Sequence, residues 1–85
     1  MDIKKEVITF LEKQNPIPGS SEQEKLDCYY LDSGVIDSLT IITLITEFEE
    51  KFQIRFESDD LQSQEFQTVG GLIGIIERLK QKTNN

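Results

Sequence analysis

The sequence predicts an all-α fold, a small bundle of four helical elements. Apolar residues recur at three- and four-residue spacing along most of its length. The apolar stretches open on Asp, Ser or Thr, residues whose side chains cap helix N-termini. No convincing strand interrupts them.

Asp2 caps a first helix in which Ile3, Val7, Phe10 and Leu11, with Ile8 beside them, form an apolar stripe. Pro16, Pro18 and Gly19 end it, because proline removes a backbone donor and clashes with the preceding turn. A connection from about Asn15 to Asp37 follows. So long a loop in a compact domain is usually functional or partly structured. Leu26, Tyr29, Tyr30 and Leu31 are expected to pin it to the core, and 21–26 to form a helical turn. The next helix starts at Ser38, with Leu39, Ile42, Ile45, Phe48 and Phe52 on one face. Ser58 is expected to cap a short helix through Leu61, and Phe66 to plug the connection that follows. Thr68 caps the last helix, which turns Val69, Leu72, Ile73, Ile76 and Leu79 inward and places Arg78, Lys80 and Lys82 near its negative end. Fraying is expected over 81–85.

Eighty-five residues allow one domain, 1–85, with one modest core. Leu, Ile, Val and Phe account for 27 of them, too many for a disordered chain. No apolar run reaches membrane-spanning length, and Met1–Glu6 leads into no signal-peptide core, so a soluble, cytoplasmic protein is expected. Cys28 is the single cysteine, which excludes an intrachain disulfide and a cysteine metal cluster; it reads as a small, half-buried apolar residue. The absence of histidine excludes a histidine-dependent triad and a zinc–histidine site. The net charge of −7 is unevenly spread. Residues 21–65 hold twelve acidic side chains against three basic, whereas 66–85 hold one against three. Such a field repels nucleic acid and anionic membrane and favours basic protein partners.

The stretch Gly34-Val35-Ile36-Asp37-Ser38-Leu39 opens the longest apolar helix. Asp or Ser there is by default a helix cap. A serine hydroxyl at such an end is also exposed, and a phosphate on it would face the positive end of the helix dipole. Three further segments accompany it: Leu31-Asp32-Ser33-Gly34, the Phe52-x-Ile54-x-Phe56 exit, and the Thr68-Val69 start of the last helix. With them, the chain from about Leu31 to Leu79 resembles the acyl and peptidyl carrier proteins, whose modified serine stands in an Asp-Ser-Leu motif; the first helix matches only in pattern.

The resemblance implies three longer helices, one short helix and a long first loop. It implies that Ser38 accepts a covalent 4′-phosphopantetheine arm from coenzyme A through a separate phosphopantetheinyl transferase. The arm's thiol would hold an acyl or aminoacyl group as a thioester, for lipid, polyketide or nonribosomal peptide-like biosynthesis. A loading enzyme and a downstream synthase or transferase are then the further partners, and the chain is a substrate of enzymes rather than an enzyme. Asp37 belongs to the transferase motif as well as to the cap. Leu39 is expected to contact the transferase and to contribute to the core.

The chain departs from the family pattern just after the serine, where Thr40 and Thr43 replace acidic residues and Ile41 is expected to face outward. Glu47, Glu49 and Glu50 keep acidity further along. These residues predict a partner surface more apolar than in fatty-acid synthesis, with Ile41→Glu as its test. The Gln62–Gln67 connection is longer than in compact fatty-acid carriers and is similar to that of free-standing carriers for D-alanylation or nonribosomal peptide pathways. Gly70, Gly71 and Gly74 in the last helix either permit close packing or leave a pliable wall for cargo. An unmodified acidic protein-interaction module is the alternative function. Enzymatic chemistry of its own has no support, since Asp32 and Asp37 are accompanied by no organised nucleophile–base set. An EF-hand is disfavoured, because aligning Gly34 with its required glycine puts Tyr29 at the first ligand position, where Asp is needed. A monomer suffices.

Overall fold

The computed structural model describes residues 2–83. Three long helices, α1 (Ile3–Gln14), α3 (Ser38–Phe52) and α5 (Val69–Thr83), carry the fold. Two short ones, α2 (Glu22–Leu26) and α4 (Ser58–Gln62), and a 3-10 turn, Gln64–Gln67, fill the connections. Among the described residues the only β pairing is an isolated antiparallel bridge between Tyr29 and Thr68.

Local signals account for most helix ends. Asp2 Oδ1 accepts from the Lys5 N–H at 3.2 Å, supplying one of the orphan donors of α1. Helix α1 stops at Gln14 because Pro16 pushes Asn15 into an extended conformation (φ −158°, ψ 150°). Ser21 caps α2 through the Glu24 N–H. Helix α3 ends at Gln53, whose left-handed φ of 56° turns the chain into the Ile54–Phe56 exit. Thr68 Oγ1 accepts from the Gly71 N–H at 3.0 Å and opens α5.

The core is one cluster. Val7, Phe10 and Leu11 of α1, Leu44, Phe48 and Phe52 of α3, and Val69, Leu72, Ile73, Ile75, Ile76 and Leu79 of α5 are buried in it. The Phe10 and Phe48 rings meet edge-on at 5.2 Å, a favoured geometry for aromatic pairs. The long connection is part of this core: Ile17, Tyr30, Val35 and Ile36 are all buried. The buried Tyr30 hydroxyl donates to the Phe66 carbonyl, and the Val69 N–H donates to the Cys28 carbonyl at 3.0 Å. The first loop is thereby stitched to the start of α5. Burial raises the Tyr30 phenol well above its ordinary pKa, so it remains a donor throughout the working pH range.

Several expectations need correction. Leu39 and Ile42 are 76% and 62% exposed, whereas Ile41 and Ile45 pack against the core beside Leu44. The expected and observed faces of α3 share Ile45, Phe48 and Phe52 and diverge only toward its N-terminus. The fully buried Phe rings and Leu44 fix the rotation of the helix; they put Ile42 about 120° off the core direction and Leu39 on the opposite side of the helix. Glu57, not Ser58, precedes α4 as its cap residue; its N–H donates to Asp60 Oδ2 at 3.0 Å. The Tyr29 side chain is exposed, so the residue is held by its backbone bridge to Thr68 and not by packing into the core. Helix α5 continues through Thr83, while the rest of the expected frayed tail, Asn84 and Asn85, lies outside the described residues. Phe66 is buried as expected, and its connection is wound into the 3-10 turn.

The glycines of α5 divide by neighbour. A Cβ at Gly71 would overlap the Glu65 carbonyl, and one at Gly70 would come within 3.1 Å of the Leu26 carbonyl. A Cβ at Gly74 would meet nothing within 4 Å. Close packing therefore explains Gly70 and Gly71 and leaves Gly74 without a packing reason.

Candidate functional site: the N-terminus of α3

Ser38 is the first residue of α3 and is exposed. Three local constraints place it. Gly34 adopts φ +83°, a left-handed turn that glycine takes without steric cost. Val35 and Ile36 then dip into the core, 2% and 3% exposed. Asp37 follows in extended conformation, and its Oδ1 accepts from the Thr40 N–H at 2.8 Å. The cap is therefore Asp37, which leaves the Ser38 hydroxyl outside the capping bond. That bond holds the Asp37 carboxyl below its ordinary pKa, since an N–H donor favours the charged form.

Around Ser38 the surface is apolar and acidic. Leu39 and Ile42 project outward, and Ile42 forms a shallow cleft with Thr43, Thr46, Glu47 and Glu50. Thr46 is drawn back to its own helix through the Ile42 carbonyl, at 3.0 Å. Of the acidic residues singled out in the sequence, Glu47 and Glu50 are exposed on this side. Glu49 is half-buried, and its Oε2 accepts from the Phe56 N–H at 2.9 Å, tying down the chain that leaves α3. Ile41, expected to face outward, instead lines a cavity of about 360 Å³ with Leu31, Asp32, Ile45, Leu61, Phe66 and Gln67. The structure thus brings Ser38, Leu39, Ile42, Glu47 and Glu50 to the exposed side and withdraws Ile41 and Glu49. Sequence reading placed Ile42 on the core face. Its four-residue spacing from the exposed Thr46 was the signal that could have corrected this.

The arrangement suits a covalently attached anionic group. The hydroxyl is exposed at the positive end of a fifteen-residue helix dipole, and no metal is needed to hold a phosphodiester there. Among the described residues no group of His, Cys, Asp or Glu forms a metal site. No described helix is long and apolar enough to cross a membrane.

The fold is a small helical bundle that displays Ser38 at the exposed N-terminus of α3, an arrangement that suits a carrier protein. The chain belongs to the phosphopantetheine attachment site family, which it matches over residues 25–76, a span containing Ser38. It is therefore a carrier protein whose prosthetic group is 4′-phosphopantetheine, a substrate and partner of enzymes rather than a catalyst. The D-alanyl carrier protein of Leuconostoc citreum is 29% identical over 79 residues, 93% of this chain and 97% of that protein. The D-alanyl carrier protein of Bacillus mycoides is 27% identical over 81 residues, 93% and 98% of the two chains. No solved structure matched the chain.

Proposed function

We propose that Ser38 is the attachment residue and that the arm carries an aminoacyl group, with D-alanyl as the leading candidate. The observation that carries the first part is the exposed hydroxyl at the start of α3, released from capping by Asp37. Ser38 supplies the oxygen of the phosphodiester; Asp37 holds the helix end that faces it and forms part of the surface read by the phosphopantetheinyl transferase. When attached, the arm supplies a thiol that holds the cargo as a thioester. Support for aminoacyl cargo comes from the D-alanyl carrier relatives and from the length of the Gln62–Gln67 connection, by which the sequence resembles free-standing carriers. A fatty-acid role has no such support.

Leu39 and Ile42, bordered by Glu47 and Glu50, form the face that the transferase, the loading enzyme and the downstream acceptor dock on. Exposed apolar side chains ringed by charge mark protein contacts, and the charge favours partners with basic rims. Ile41 and Glu49 act behind this face, in packing and in holding the helix exit. The reading places the protein in the cytoplasm, the compartment that supplies coenzyme A.

The test is intact mass after incubation with coenzyme A, magnesium and a broad-specificity phosphopantetheinyl transferase, beside Ser38→Ala. The expected result is one phosphopantetheine gained by the parent and none by the variant. An equal gain in the variant removes Ser38 as the site. Offering the modified protein to amino-acid-activating and fatty-acyl-loading enzymes then separates the cargo classes; loading by fatty-acyl enzymes alone overturns the aminoacyl reading.

A further inference from the structure

The peptide unit joining Val35 to Ile36 lies two residues before Ser38 and is held at both ends. Its carbonyl accepts from the Asn15 side-chain Nδ2 at 3.0 Å, and its N–H donates to the Tyr30 carbonyl at 3.2 Å. The oxygen and hydrogen of a trans amide point in opposite directions, so this plane cannot turn without breaking both bonds. The side chains on either side, Val35 and Ile36, are anchored in the core. The plane therefore fixes the direction from which Asp37 and Ser38 enter α3.

Asn15 reaches across from the end of α1, twenty residues earlier in the chain. Its own position is set by local chemistry. Pro16 forces it out of helical geometry, while its backbone N–H stays tied to the Leu11 carbonyl at 3.2 Å. The first helix thereby delivers one amide donor to the loop that presents the serine. Only the Nδ2 end of the amide can face a carbonyl, so Asp at this position would set a carboxylate against the Val35 oxygen.

We infer that Asn15 is a positioning residue for the attachment reaction: it holds the Val35–Ile36 peptide so that Ser38 is presented to the transferase in one orientation. The inference rests on the reading of Ser38 as the attachment site. Asn15 touches neither the serine nor its substrate and acts only through that peptide plane. Presentation is a matter of geometry, and small misplacements of a reacting group cost rate out of proportion to stability.

The experiment compares the full chain with Asn15→Ala, Asn15→Asp and a control, Ile76→Val, which trims the core in α5 by one methyl group. Three quantities are followed: the exchange rate of the Ile36 amide, the melting temperature, and kcat/KM for modification with coenzyme A. Both Asn15 variants should raise Ile36 exchange roughly fivefold, the factor expected from loss of one hydrogen bond. They should lower kcat/KM several-fold while still reaching one arm per chain, with Asn15→Asp the more severe. Ile76→Val should lower the melting temperature comparably and leave kcat/KM unchanged well below it. Faster Ile36 exchange with unaltered modification, or an equal slowing in Ile76→Val, would overturn the inference and leave Ser38 as the attachment site. Failure of the parent to be modified at Ser38 would overturn the functional reading and this inference with it.

Discussion

At the scale of single residues, the site depends on which polar group satisfies which donor. Asp37 takes the Thr40 N–H, so Ser38 does not have to. Because that bond lowers the Asp37 pKa in the folded chain, its contribution to stability is complete above the ordinary aspartate range, near pH 4, and disappears as pH falls through the lowered folded value. Asn caps helices as well as Asp but does not titrate. Chemical denaturation of the parent and Asp37→Asn across pH should therefore give curves that differ at neutral pH and converge in acid. A constant difference across the acid limb would show that the cap does not titrate with folding. Glycine supplies a second residue-scale test. Gly74→Ala should stabilise α5 by about 0.5–1 kcal/mol, since Ala lowers the entropy cost of the helix and its methyl meets no neighbour. Gly71→Ala should destabilise by more than that gain, because its methyl collides with the Glu65 carbonyl, fixed backbone that cannot swing aside. Melting temperatures of the two variants should move in opposite directions.

At the scale of elements, the sequence made helix positions legible and helix rotation much less so. Asp2, Pro16 and Thr68 bound their helices as read, since each acts within one turn of itself. Helix α3 carries seven large apolar residues among its fifteen, Leu39, Ile41, Ile42, Leu44, Ile45, Phe48 and Phe52. So wide an apolar arc accommodates two rotations, and only the neighbours it packs against choose between them. The burial of Val35 and Ile36 and the reach of Asn15 to Val35 were not legible for a related reason, as nothing local marks which loop residues meet a distant helix. The Asp37–Ser38 pair was legible because capping is a local pattern. The observed rotation changes the useful experiment on this helix. Ile41→Glu would bury a charge against Leu31 and Phe66, so lost activity in that variant would report lost packing. Ile42→Ser is the clean probe: as a surface change it should move stability by no more than about 0.5 kcal/mol and yet lower kcat/KM for transferase or loading enzyme several-fold. Unchanged turnover in a folded Ile42→Ser protein would remove the exposed isoleucine from the docking face.

At the scale of the whole molecule, the position of the acidic charge matters more than its total. Among the described residues, four of the nine cations are already paired with carboxylates of the same chain. Lys4 pairs with Glu22 at 2.5 Å, Lys25 with Glu12 at 2.9 Å and Lys51 with Glu6 at 2.9 Å, while Arg78 lies 3.4 Å from Asp60 and 3.7 Å from Glu65. Among the described residues no close ion pair engages Glu47 or Glu50, although Lys51, paired with Glu6, also feels the Glu47 charge; the carboxylates of the exposed α3 face remain open to solvent. Exposed charges act through water and are screened over about 10 Å at 0.1 M salt and about 3 Å at 1 M. They should therefore speed encounter with a basic partner, while the apolar residues set how long the complex lasts. Modification rates measured between low and high ionic strength separate the two contributions. The parent's kcat/KM should fall as salt rises, and Glu47→Gln with Glu50→Gln should flatten that slope without altering stability. Ile42→Ser should lower kcat/KM at every salt concentration and keep the parent's slope. A double glutamine variant with the parent's salt dependence would mean that these carboxylates are only a solvated surface, and that the partner approaches α3 guided by its apolar residues alone.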